Sequence, residues 1–357
     1  MDISQKIQFD FSTTQRVINL IARIDSFKGI WTSVEAKENT YLKELRRIAT
    51  IESIGSSTRI EGAMMSDSDI RELLDNIKIT KLSTRDHQEI VGYYEVLDII
   101  YDNYAHISLN EGNIKSLHNS LLRYSSKDER HKGTYKTLSN QVVANYPDGS
   151  RRVIFNTTEP HLVSKDMEDT LRWVNASFES QQFHPLLIIG AFVYEFLSIH
   201  PFQDGNGRLS RLLTTLLLLQ SDYLFVKYVS FENLIEQRKA DYYAALIEGQ
   251  HNRRTDRENM SAWIVFFLEC LSTLTERLKQ KYDIYKTKGG YQNERQRQIV
   301  DFVNHNQPVK AGDVVKALPD LSPNTIKKDL LYLRTEKFLT VLGRGRGTLY
   351  IINNDTK

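Results

Sequence analysis

The stretch PLLIIGAFVYEFLSIHPFQDGNGRLSRLL, residues 185–213, determines how this sequence is interpreted. Pro185 stands where a helix begins, and the residues that follow are apolar nearly all round, which predicts the central helix of a bundle. Pro201 prevents simple continuation of that helix past His200, and a second apolar helix follows the glycines. The polar segment 200–211 is therefore expected between two core helices.

The middle of this segment suits a phosphate group and a metal ion. Asp204 supplies a hard oxygen ligand of the kind that Mg²⁺ prefers. Gly205 and Gly207 around Asn206 allow backbone angles that turn successive N–H groups toward one anion. The helix that begins here adds its positive N-terminal end to the same place.

Two arginines and a histidine complete the pattern. Arg208 and Arg211, at i and i+3, lie on one side of the first helical turn and can fork around phosphate oxygens. Taken singly, a His before Pro is usually structural, Gly-Asn-Gly is usually a turn, and two helical arginines are usually a solvated face. Together they serve one ligand, and they predict a polyphosphate cradle with His200 as a base at its edge. No Gly-Lys-Ser/Thr follows a strand, which disfavours a Walker-type ATPase.

Length and composition leave the class of protein open. The chain has 357 residues, a length typical of about two domains. Its net charge of +2 commits it neither to nucleic acid nor to membranes. No apolar run is long enough for a membrane span, the N-terminus has no apolar signal core, and the single Cys270 lies in an apolar helical run. A cytoplasmic protein without membrane contact is the expectation.

Most of the first 280 residues have helical apolar spacing, with one interruption. The segment QVVANYPDGSRRVIFN contains Pro147-Asp148-Gly149, a turn signal between two β-prone runs. It predicts a hairpin over 142–158, which must lie against the bundle or present itself to a ligand, because a lone hairpin is not stable by itself.

A domain boundary is predicted at the polar, Gly-containing stretch 286–293. After it, three short helices and a strand, Gly-rich turn and strand predict a winged helix-turn-helix domain over 293–357. This part has 11 Lys/Arg against 7 Asp/Glu, a net charge of +4. DNA binding and protein interaction both remain open for it, and the candidate DNA contacts are Lys327, Lys328, Arg344 and Arg346.

The residues HPFQDGNGRLSR, 200–211, resemble the signature of Fic-domain proteins, His-x-Phe-x-Asp/Glu-Gly-Asn-Gly-Arg-x-x-Arg, at every specified position. The resemblance extends over roughly residues 1–275. Fic enzymes typically transfer AMP from ATP to a Ser, Thr or Tyr hydroxyl of a protein. The resemblance thus implies a mainly α fold, a Fic-type helical bundle with a β-hairpin flap, here followed by the winged helix-turn-helix.

The resemblance also implies a role for each signature residue. His200 is the general base, and Asp204 holds Mg²⁺, or Mn²⁺ in its place, on the α- and β-phosphates of ATP. Asn206 and the backbone of Gly205 and Gly207 bind the α-phosphate, while Arg208 and Arg211 hold the β- and γ-phosphates. Related Doc-type kinases carry Lys where this chain has Gly207, which favours AMP transfer over phosphate transfer.

Two further segments resemble parts of the family. The hairpin 142–158 occupies the position of the flap that aligns a target segment by strand pairing, and IEQRKADYYAALIEGQ looks like the segment that walls the adenine. The residues expected to act are Val153, Ile154 and Phe155 in the flap, and Tyr242, Tyr243 and Gln250 at the adenine.

The segment SSTRIEG, which contains Ser57 and runs to Gly62, resembles the inhibitory helix motif of the family, Ser/Thr-x-x-x-Glu-Gly/Asn. Read without the family, Glu61 before a glycine is simply the end of a helix. The resemblance implies that Glu61 reaches Arg211 and competes with the γ-phosphate of ATP, because one carboxylate and ATP cannot share that arginine.

The sequence therefore predicts an N-terminal helical region (1–110, with the inhibitory motif 57–62), a Fic catalytic core (111–285) and the winged helix-turn-helix. The predicted function is AMP transfer to a protein target that the sequence does not identify, and the chain itself is one candidate target. A homodimer is among the expected assemblies. A deAMPylase using the same site and a nucleotide-sensing DNA-binding regulator are the alternatives. An intact His200 speaks against a pure sensor.

Overall fold

The computed structural model describes residues 2–36, 40–77, 81–145, 151–287, 294–336, 338–343 and 347–353. Backbone contacts divide the chain into two units, Met1–Glu276 and Arg277–Lys357. The division falls inside a helix, Ser261–Thr287, ahead of the polar stretch where the sequence predicts the domain boundary. The predicted regions 1–110 and 111–285 lie together in the first unit, apart from the end of that helix.

The first unit is mainly helical, as predicted. In chain order its helices are α1 (Phe11–Glu35), α2 (Thr40–Ile60), α3 (Asp67–Asp75), α4 (Arg85–Asn103), α5 (Glu111–Leu121), α6 (Pro160–Ser180), α7 (Pro185–Ile199), α8 (Asn206–Gln220), α9 (Phe231–Gln237), α10 (Lys239–Gln250) and α11 (Ser261–Thr287), which crosses the division.

Several helices begin at the residues that their sequences indicate. Asp10 caps α1 by accepting a hydrogen bond from the N–H of Thr13 at 2.6 Å. Ser66 and Asp69 form a reciprocal capping box at the start of α3, as the segment SDSD predicts. Each cap satisfies N–H groups that have no partner within the helix.

The helix α7 is the centre of the first unit. Every residue from Ile188 to Ile199 is buried, which confirms the prediction drawn from its apolar pattern. Gly190 permits a close approach to α11, because a Cβ atom there would lie 2.8 Å from Cδ1 of Ile264. Trp263 donates its indole N–H to the carbonyl of Gly190 at 2.8 Å and fixes that approach.

One carboxylate lies inside this apolar helix. Glu195 accepts from Lys6 at 2.6 Å and from Arg253 at 2.7 Å, and both ion pairs are largely buried. Burial disfavours its charge, but Arg253 and Lys6 outweigh that effect and lower the pKa of Glu195 to about 2. Cys270 is buried, as predicted. Of the helices in the described residues, none has both the length and the apolar character needed to cross a bilayer.

A hairpin lies between α5 and α6. Its strands are β1 (Gln141–Asn145) and β2 (Arg151–Asn156), antiparallel, with a bulge between Val142 and Val143. This confirms a hairpin in the predicted segment 142–158, although its second strand ends at Asn156, two residues before the predicted end. The turn residues Pro147, Asp148 and Gly149 lie outside the described residues.

The second unit contains α12 (Glu294–Asn306), α13 (Ala311–Ala317), α14 (Pro323–Thr335), β3 (Leu339–Leu342) and β4 (Leu349–Ile352). An isolated bridge also pairs Val309 with Tyr350. Its core includes the buried residues Ile299, Val303, Ile326 and Leu330. Three helices followed by a hairpin is the element order that the sequence predicts, and the assignment to the winged helix-turn-helix class stays a prediction.

Candidate functional site

The chain turns sharply between α7 and α8, over residues 200–205, named here the histidine loop. His200 has a left-handed backbone conformation (φ 53°, ψ 62°), and its N–H donates to the carbonyl of Phe196 at 2.9 Å. Gly205, at φ 78°, precedes the first residue of α8. Glycine adopts this conformation readily but histidine does not, so the surroundings of His200 must stabilise it.

Asn206 closes the histidine loop from the α8 side. Its Oδ1 accepts from the N–H of Phe202 at 2.8 Å, and its Nδ2 donates to the carbonyl of Phe202 at 2.7 Å. The side chain is 1% exposed. Both ends of the amide therefore bind the loop backbone, which gives Asn206 a role inside the protein beside the predicted contact with phosphate.

His118 supports the loop from α5, and the sequence analysis did not identify it. Its Nδ1 accepts from the N–H of Gly133 at 2.9 Å, so Nε2 carries the proton that is shared with the carbonyl of Asp204 at 2.9 Å. The ring stacks on Phe202 with centroids 3.7 Å apart. Burial lowers the pKa of His118 to about 4. A histidine on the apolar face of α5 was the signal available in the sequence.

The imidazole of His200 has one nitrogen available for chemistry. Its Nδ1 lies 3.3 Å from the carbonyl of Leu197, and since a carbonyl only accepts, Nδ1 carries the proton and Nε2 the lone pair. Burial, together with the positive charge of Lys136, lowers the pKa of His200 to about 4. The ring is therefore neutral at pH 7 and can accept a proton through Nε2.

A cavity of about 310 Å³ opens beside the histidine loop. It brings together predicted site residues from four parts of the chain, namely the end of α2, the loop, the start of α8 and α10. These residues are Glu61, His200, Asp204, Gly205, Asn206, Gly207, Arg211, Tyr242 and Tyr243. Arg85 and Lys127, which the sequence analysis did not identify, add two positive charges to its wall.

Asp204 presents an ionised carboxylate to this cavity. Its Oδ1 accepts from the N–H of Gly205 at 2.6 Å and from Arg208 at 3.2 Å, while Lys127 lies 3.4 Å from Oδ2. Burial opposes the charge, but Arg208, the Gly205 N–H and the nearby cations lower the pKa of Asp204 below its ordinary value. The side chain is 27% exposed, so a ligand in the cavity can reach it.

Arg208 lies behind Asp204, and it is not among the residues that line the cavity. It is 1% exposed and forms ion pairs with Asp204 at 3.2 Å and with Glu89 at 3.3 Å. Its Nη1 makes the ion pair with Glu89, and within the described residues its buried Nε has no hydrogen-bond partner. A buried unsatisfied donor is costly, so the Nε N–H favours an additional acceptor.

Arg211 connects α8 to α2. Its Nε donates to Oγ of Ser57 at 2.8 Å, and its Nη2 donates to the carbonyl of Ser57 at 3.0 Å and to Oε1 of Glu61 at 2.8 Å. Arg211 is 3% exposed. The structure thus brings together the three residues that the inhibitory motif predicts, across about 150 positions of sequence.

Glu61 is ionised in this contact. Burial raises the pKa of a carboxyl group, but the guanidinium of Arg211, with help from Arg208, holds the pKa of Glu61 below its ordinary value. The absence of a side chain at Gly207 makes room for it, because a Cβ atom there would lie 2.2 Å from Oε1 of Glu61.

Arg59 anchors the end of α2, and the sequence analysis did not identify it. It donates to both carboxylate oxygens of Glu236 on α9, at 2.8 and 3.1 Å, and to Asp67 on α3 at 2.9 Å. Lys239 on α10 donates to the carbonyl of Ile60 at 3.2 Å. The last turn of α2, which carries Glu61, is therefore held by three neighbouring helices.

The predicted adenine residues divide into two groups. Tyr242 and Tyr243 line the cavity, and Tyr242 packs edge-on against Trp263 at a centroid distance of 5.6 Å. Gln250 does not line the cavity. Its Nε2 donates to Oγ of Ser198 at 2.7 Å and to the hydroxyl of Tyr194 at 3.1 Å, which connects α10 to α7.

The hairpin borders the cavity through β1 rather than β2. Val142 and Val143, at the bulge, line the cavity, whereas the predicted docking residues lie on the second strand. Of those, Phe155 is buried, Ile154 is half-buried and Val153 is 55% exposed. The bulge lies in the part of β1 that borders the cavity, a feature that the loose sequence pattern of the hairpin did not indicate.

The predicted DNA contacts lie in the second unit. Lys327 and Lys328 are exposed on α14, while Asp329 of the same helix is buried and accepts from Gln296 at 3.0 Å. Arg344 and Arg346 lie outside the described residues.

Two kinds of comparison with known sequences point to the same family. Residues 108–218 match the Fic/DOC family, a span that includes the hairpin, α7 and the histidine loop. The protein adenylyltransferase Fic of Aedes aegypti is 29% identical over 206 residues, which cover 56% of this chain and 38% of that protein. The protein of the same name from Drosophila grimshawi is 25% identical over 234 residues, 62% and 45% of the two chains. The chain thus spans less than half the length of these relatives.

Solved structures agree with the fold. A Fic family protein from Desulfovibrio desulfuricans G20 superposes with a TM-score of 0.66 at 21% identity and covers 99% of both chains. A Fic domain containing signaling protein from Bacteroides thetaiotaomicron gives a TM-score of 0.57 at 20% identity, covering 71% of this chain and 94% of that one. The histidine loop lies inside the span matched at the sequence level, and residues 108–218 of the chain match the Fic/DOC family.

Proposed function

We propose that the chain is a protein adenylyltransferase, which transfers AMP from ATP to a Ser, Thr or Tyr hydroxyl of a protein, and that Glu61 holds it in an inhibited resting state. The observation that carries the proposal is a single cavity that contains the free imidazole nitrogen of His200, the carboxylate of Asp204, the N-terminus of α8 and the guanidinium of Arg211. The names of the relatives support this class of reaction.

The chemistry assigned to His200 is proton transfer. The target hydroxyl gives its proton to Nε2 as its oxygen attacks the α-phosphorus of ATP, and the bond from that phosphorus to the bridging oxygen of the β-phosphate breaks. Pyrophosphate leaves, and the imidazolium later returns its proton to solvent. Such reactions depend mainly on positioning and charge neutralisation, and a neutral imidazole on a fixed loop supplies the first.

Asp204 fits the divalent cation that accompanies ATP. Magnesium keeps several waters and usually takes one or two carboxylates together with phosphate oxygens, and Asp204 offers one ionised, accessible carboxylate. Groups of three or more candidate ligands are absent from the described residues, so Asp204 with the phosphates is the donor set that the described part of the site offers. Mg²⁺, or Mn²⁺ in its place, would neutralise phosphate charge there.

The remaining phosphate contacts follow from α8. Gly205, Asn206 and Gly207 place the positive N-terminal end of the helix beside the α-phosphate. The buried Nε of Arg208 is a donor that a phosphate oxygen reaching behind Asp204 would satisfy. Arg211 is assigned to the outer phosphates, once it is released from Glu61.

The target and the adenine are assigned to different parts of the cavity wall. An extended segment of the target protein would pair with β1, whose Val142 and Val143 face the cavity, so that its hydroxyl reaches His200. Tyr242 and Tyr243 are assigned to the adenine. Gln250 would act indirectly, through its hydrogen bonds to α7.

Inhibition rests on competition for one guanidinium. Arg211 already donates to Glu61 and Ser57, so a γ-phosphate that needs the same N–H groups must displace the carboxylate. ATP then binds poorly or in an unproductive position, and the resting enzyme is weak.

Incubation with α-labelled ATP and Mg²⁺ tests this function. The unmodified chain should label protein weakly, Glu61→Gly should raise the labelling, and His200→Ala in the Glu61→Gly background should abolish it. Unchanged labelling in Glu61→Gly would refute the inhibition. Labelling from the γ-phosphate and not from the α-phosphate would replace AMP transfer with phosphate transfer.

A second candidate function uses the same cavity in reverse, with removal of AMP from a modified protein. The ionised carboxylate of Glu61 favours it, since that group could accept a proton from an attacking water. Release of AMP from a labelled target by the unmodified chain, but not by Glu61→Gly, would support this reaction.

For the second unit we propose DNA binding through α14, where Lys327 and Lys328 are exposed. A gel shift of the full chain that weakens with rising salt would support it, and no shift at low salt would reject it.

A further inference from the structure

A buried lysine lies directly behind the histidine loop. Lys136 is 4% exposed, and its three ammonium protons are all used, by Oδ1 of Asn140 at 2.8 Å, Oγ1 of Thr157 at 2.7 Å and the carbonyl of Ile199 at 3.1 Å. All three acceptors are neutral. Within the described residues this ammonium group forms no ion pair, although the carboxylate of Glu159 is near enough to favour its charge and so to oppose the effect of burial on the pKa of Lys136.

The three acceptors belong to separate parts of the site. Asn140 directly precedes β1, Thr157 directly follows β2, and Ile199 is the last residue of α7. Lys136 also donates its backbone N–H to the carbonyl of Pro201 at 2.8 Å. It therefore connects both roots of the hairpin to the residues on either side of His200.

Two further hydrogen bonds strengthen this connection. Asn140 donates its Nδ2 to the carbonyl of Phe202 at 2.9 Å, and Thr157 donates its hydroxyl to Oδ1 of Asn140 at 2.6 Å. Lys136, Asn140 and Thr157, named here the lysine hub, are therefore one hydrogen-bonded unit. Movement of the hairpin relative to the histidine loop would break several of these bonds together.

The charge of the hub also acts on the imidazole. A nearby cation disfavours imidazolium, and after burial Lys136 is the main cause of the low pKa of His200. The pKa of Lys136 itself is lowered by burial to about 8, so the ammonium remains mostly protonated at pH 7. The other charged groups that line the cavity around His200 are Glu61, Asp204, Arg85, Lys127 and Arg211.

We infer that Lys136 is a positioning residue of the site, which fixes the distance between the hairpin and His200 and places a positive charge behind that imidazole. In the proposed function, on which the catalytic part of this inference rests, the hairpin holds the target hydroxyl and His200 takes its proton. The lysine hub would then place donor and base in one frame, without itself touching the substrate.

The charge is tested by the titration of His200, which does not depend on activity. In full-length Glu61→Gly protein with isotope-labelled histidine, NMR follows the ring of His200, assigned by its loss in His200→Asn. Lys136→Met, which keeps the length of the side chain without its charge, should move the titration toward pH 6.5. Lys136→Arg should leave it near the reference. An unmoved titration in a folded Lys136→Met protein overturns the role of the charge.

The position is tested by AMP transfer from α-labelled ATP as a function of pH. Lys136→Met should move the acid limb to higher pH, and near pH 7.5, where His200 is mostly neutral in every variant and Lys136 is still mostly protonated, it should still reduce the rate on the order of 10- to 100-fold. Thr157→Val, which removes one acceptor and keeps the charge, should lower the rate without moving the limb. Lys165→Met, on the exposed face of α6, is the matched control that should change neither.

The outcomes distinguish the role of Lys136 from the proposed function. If Lys136→Met does not fold, Lys136→Gln keeps hydrogen-bonding groups without the charge and makes the same titration prediction. A full rate near pH 7.5 in both Lys136→Met and Thr157→Val would overturn the positioning role. If the Glu61→Gly protein transfers no AMP to any protein, the proposed function fails, while the NMR titration still decides the effect of Lys136 on His200.

Discussion

The two sides of the cavity are held in different ways. The histidine loop is bonded to Asn206, His118 and the lysine hub, all through backbone groups of the loop. On the other side, Glu61 enters the cavity through an ion pair with Arg211, a side chain that a phosphate can also bind. Phosphate does not compete for the backbone hydrogen bonds of the loop, whereas it does compete with Glu61 for Arg211. The loop is thus built to stay in place, and the carboxylate of Glu61 is built to be displaced.

The largest expected effect comes from loosening the rigid side. Asn206→Ala removes both hydrogen bonds to Phe202, so His200 and Asp204 lose their fixed positions, and AMP transfer in the Glu61→Gly background should fall on the order of 100-fold. Asn175→Ala, on the side of α6, serves as the control and should leave transfer unchanged. Full activity of Asn206→Ala would mean that the loop does not depend on this clamp.

A second prediction concerns the stability of the rigid side against acid. The pKa of His118 in the folded chain is about 4, below its ordinary 6.5, so as pH falls the unfolded chain binds the proton first. This contribution to stability is complete above pH 6.5 and is lost between pH 6.5 and about 4. Its full size is about 3 kcal/mol.

His118→Asn should therefore lose less free energy of unfolding than the parent between pH 7 and 4, as measured by urea denaturation at each pH. The comparison is with His161→Asn, an exposed histidine at the start of α6. Equal pH dependence in the parent and in His118→Asn would show that His118 does not remain neutral in the folded chain.

A smaller effect is expected from removing Arg59, which anchors the last turn of α2 next to Glu61. Arg59→Ala removes the contacts of α2 with Glu236 and Asp67, so Glu61 competes less well for Arg211, and AMP transfer should rise about tenfold, or about 1.4 kcal/mol. The double variant Arg59→Glu with Glu236→Arg should restore part of the repression. If Glu61→Gly activates and Arg59→Ala does not, the anchor is not needed for inhibition.

The smallest effect is expected at a surface ion pair of the same helix. Arg47 lies 3.1 Å from Asp75, and both side chains are about half exposed. Exposed pairs contribute about 0–1 kcal/mol, so Arg47→Ala should change AMP transfer less than twofold. A large activation by Arg47→Ala would mean that any loosening of α2 relieves inhibition, and that Arg59 has no special place.

Local patterns were enough to predict much of this structure. The burial of α7, the capping box of α3, the hairpin after α5 and the end of α2 before Gly62 each follow from adjacent residues. The signature 200–211 likewise identified the segment that forms one wall of the cavity. Such features depend on short-range preferences for caps, turns and apolar spacing, which the sequence displays directly.

The contacts that support the site depend on long-range packing. Lys136 meets Ile199, His118 meets Asp204 and Arg59 meets Glu236 only after the helices have assembled. His118 is marked only by its place on an apolar helix face, and the residues near Lys136 and Arg59 do not mark these two at all. The family pattern named the residues that face a ligand. It did not indicate that Gln250 binds α7, that Arg208 lies behind Asp204, or that β1 and not β2 borders the cavity.

The missing side chain at position 207 has a consequence for how repression and activity can change under mutation. Any larger residue at Gly207 would collide with the carboxylate of Glu61 and would also crowd the turn assigned to phosphate. A substitution there would thus remove control and activity together. Changes at Ser57, Arg59 or Glu61 touch only the inhibitory side, so a lineage could lose repression through α2 while keeping a working enzyme.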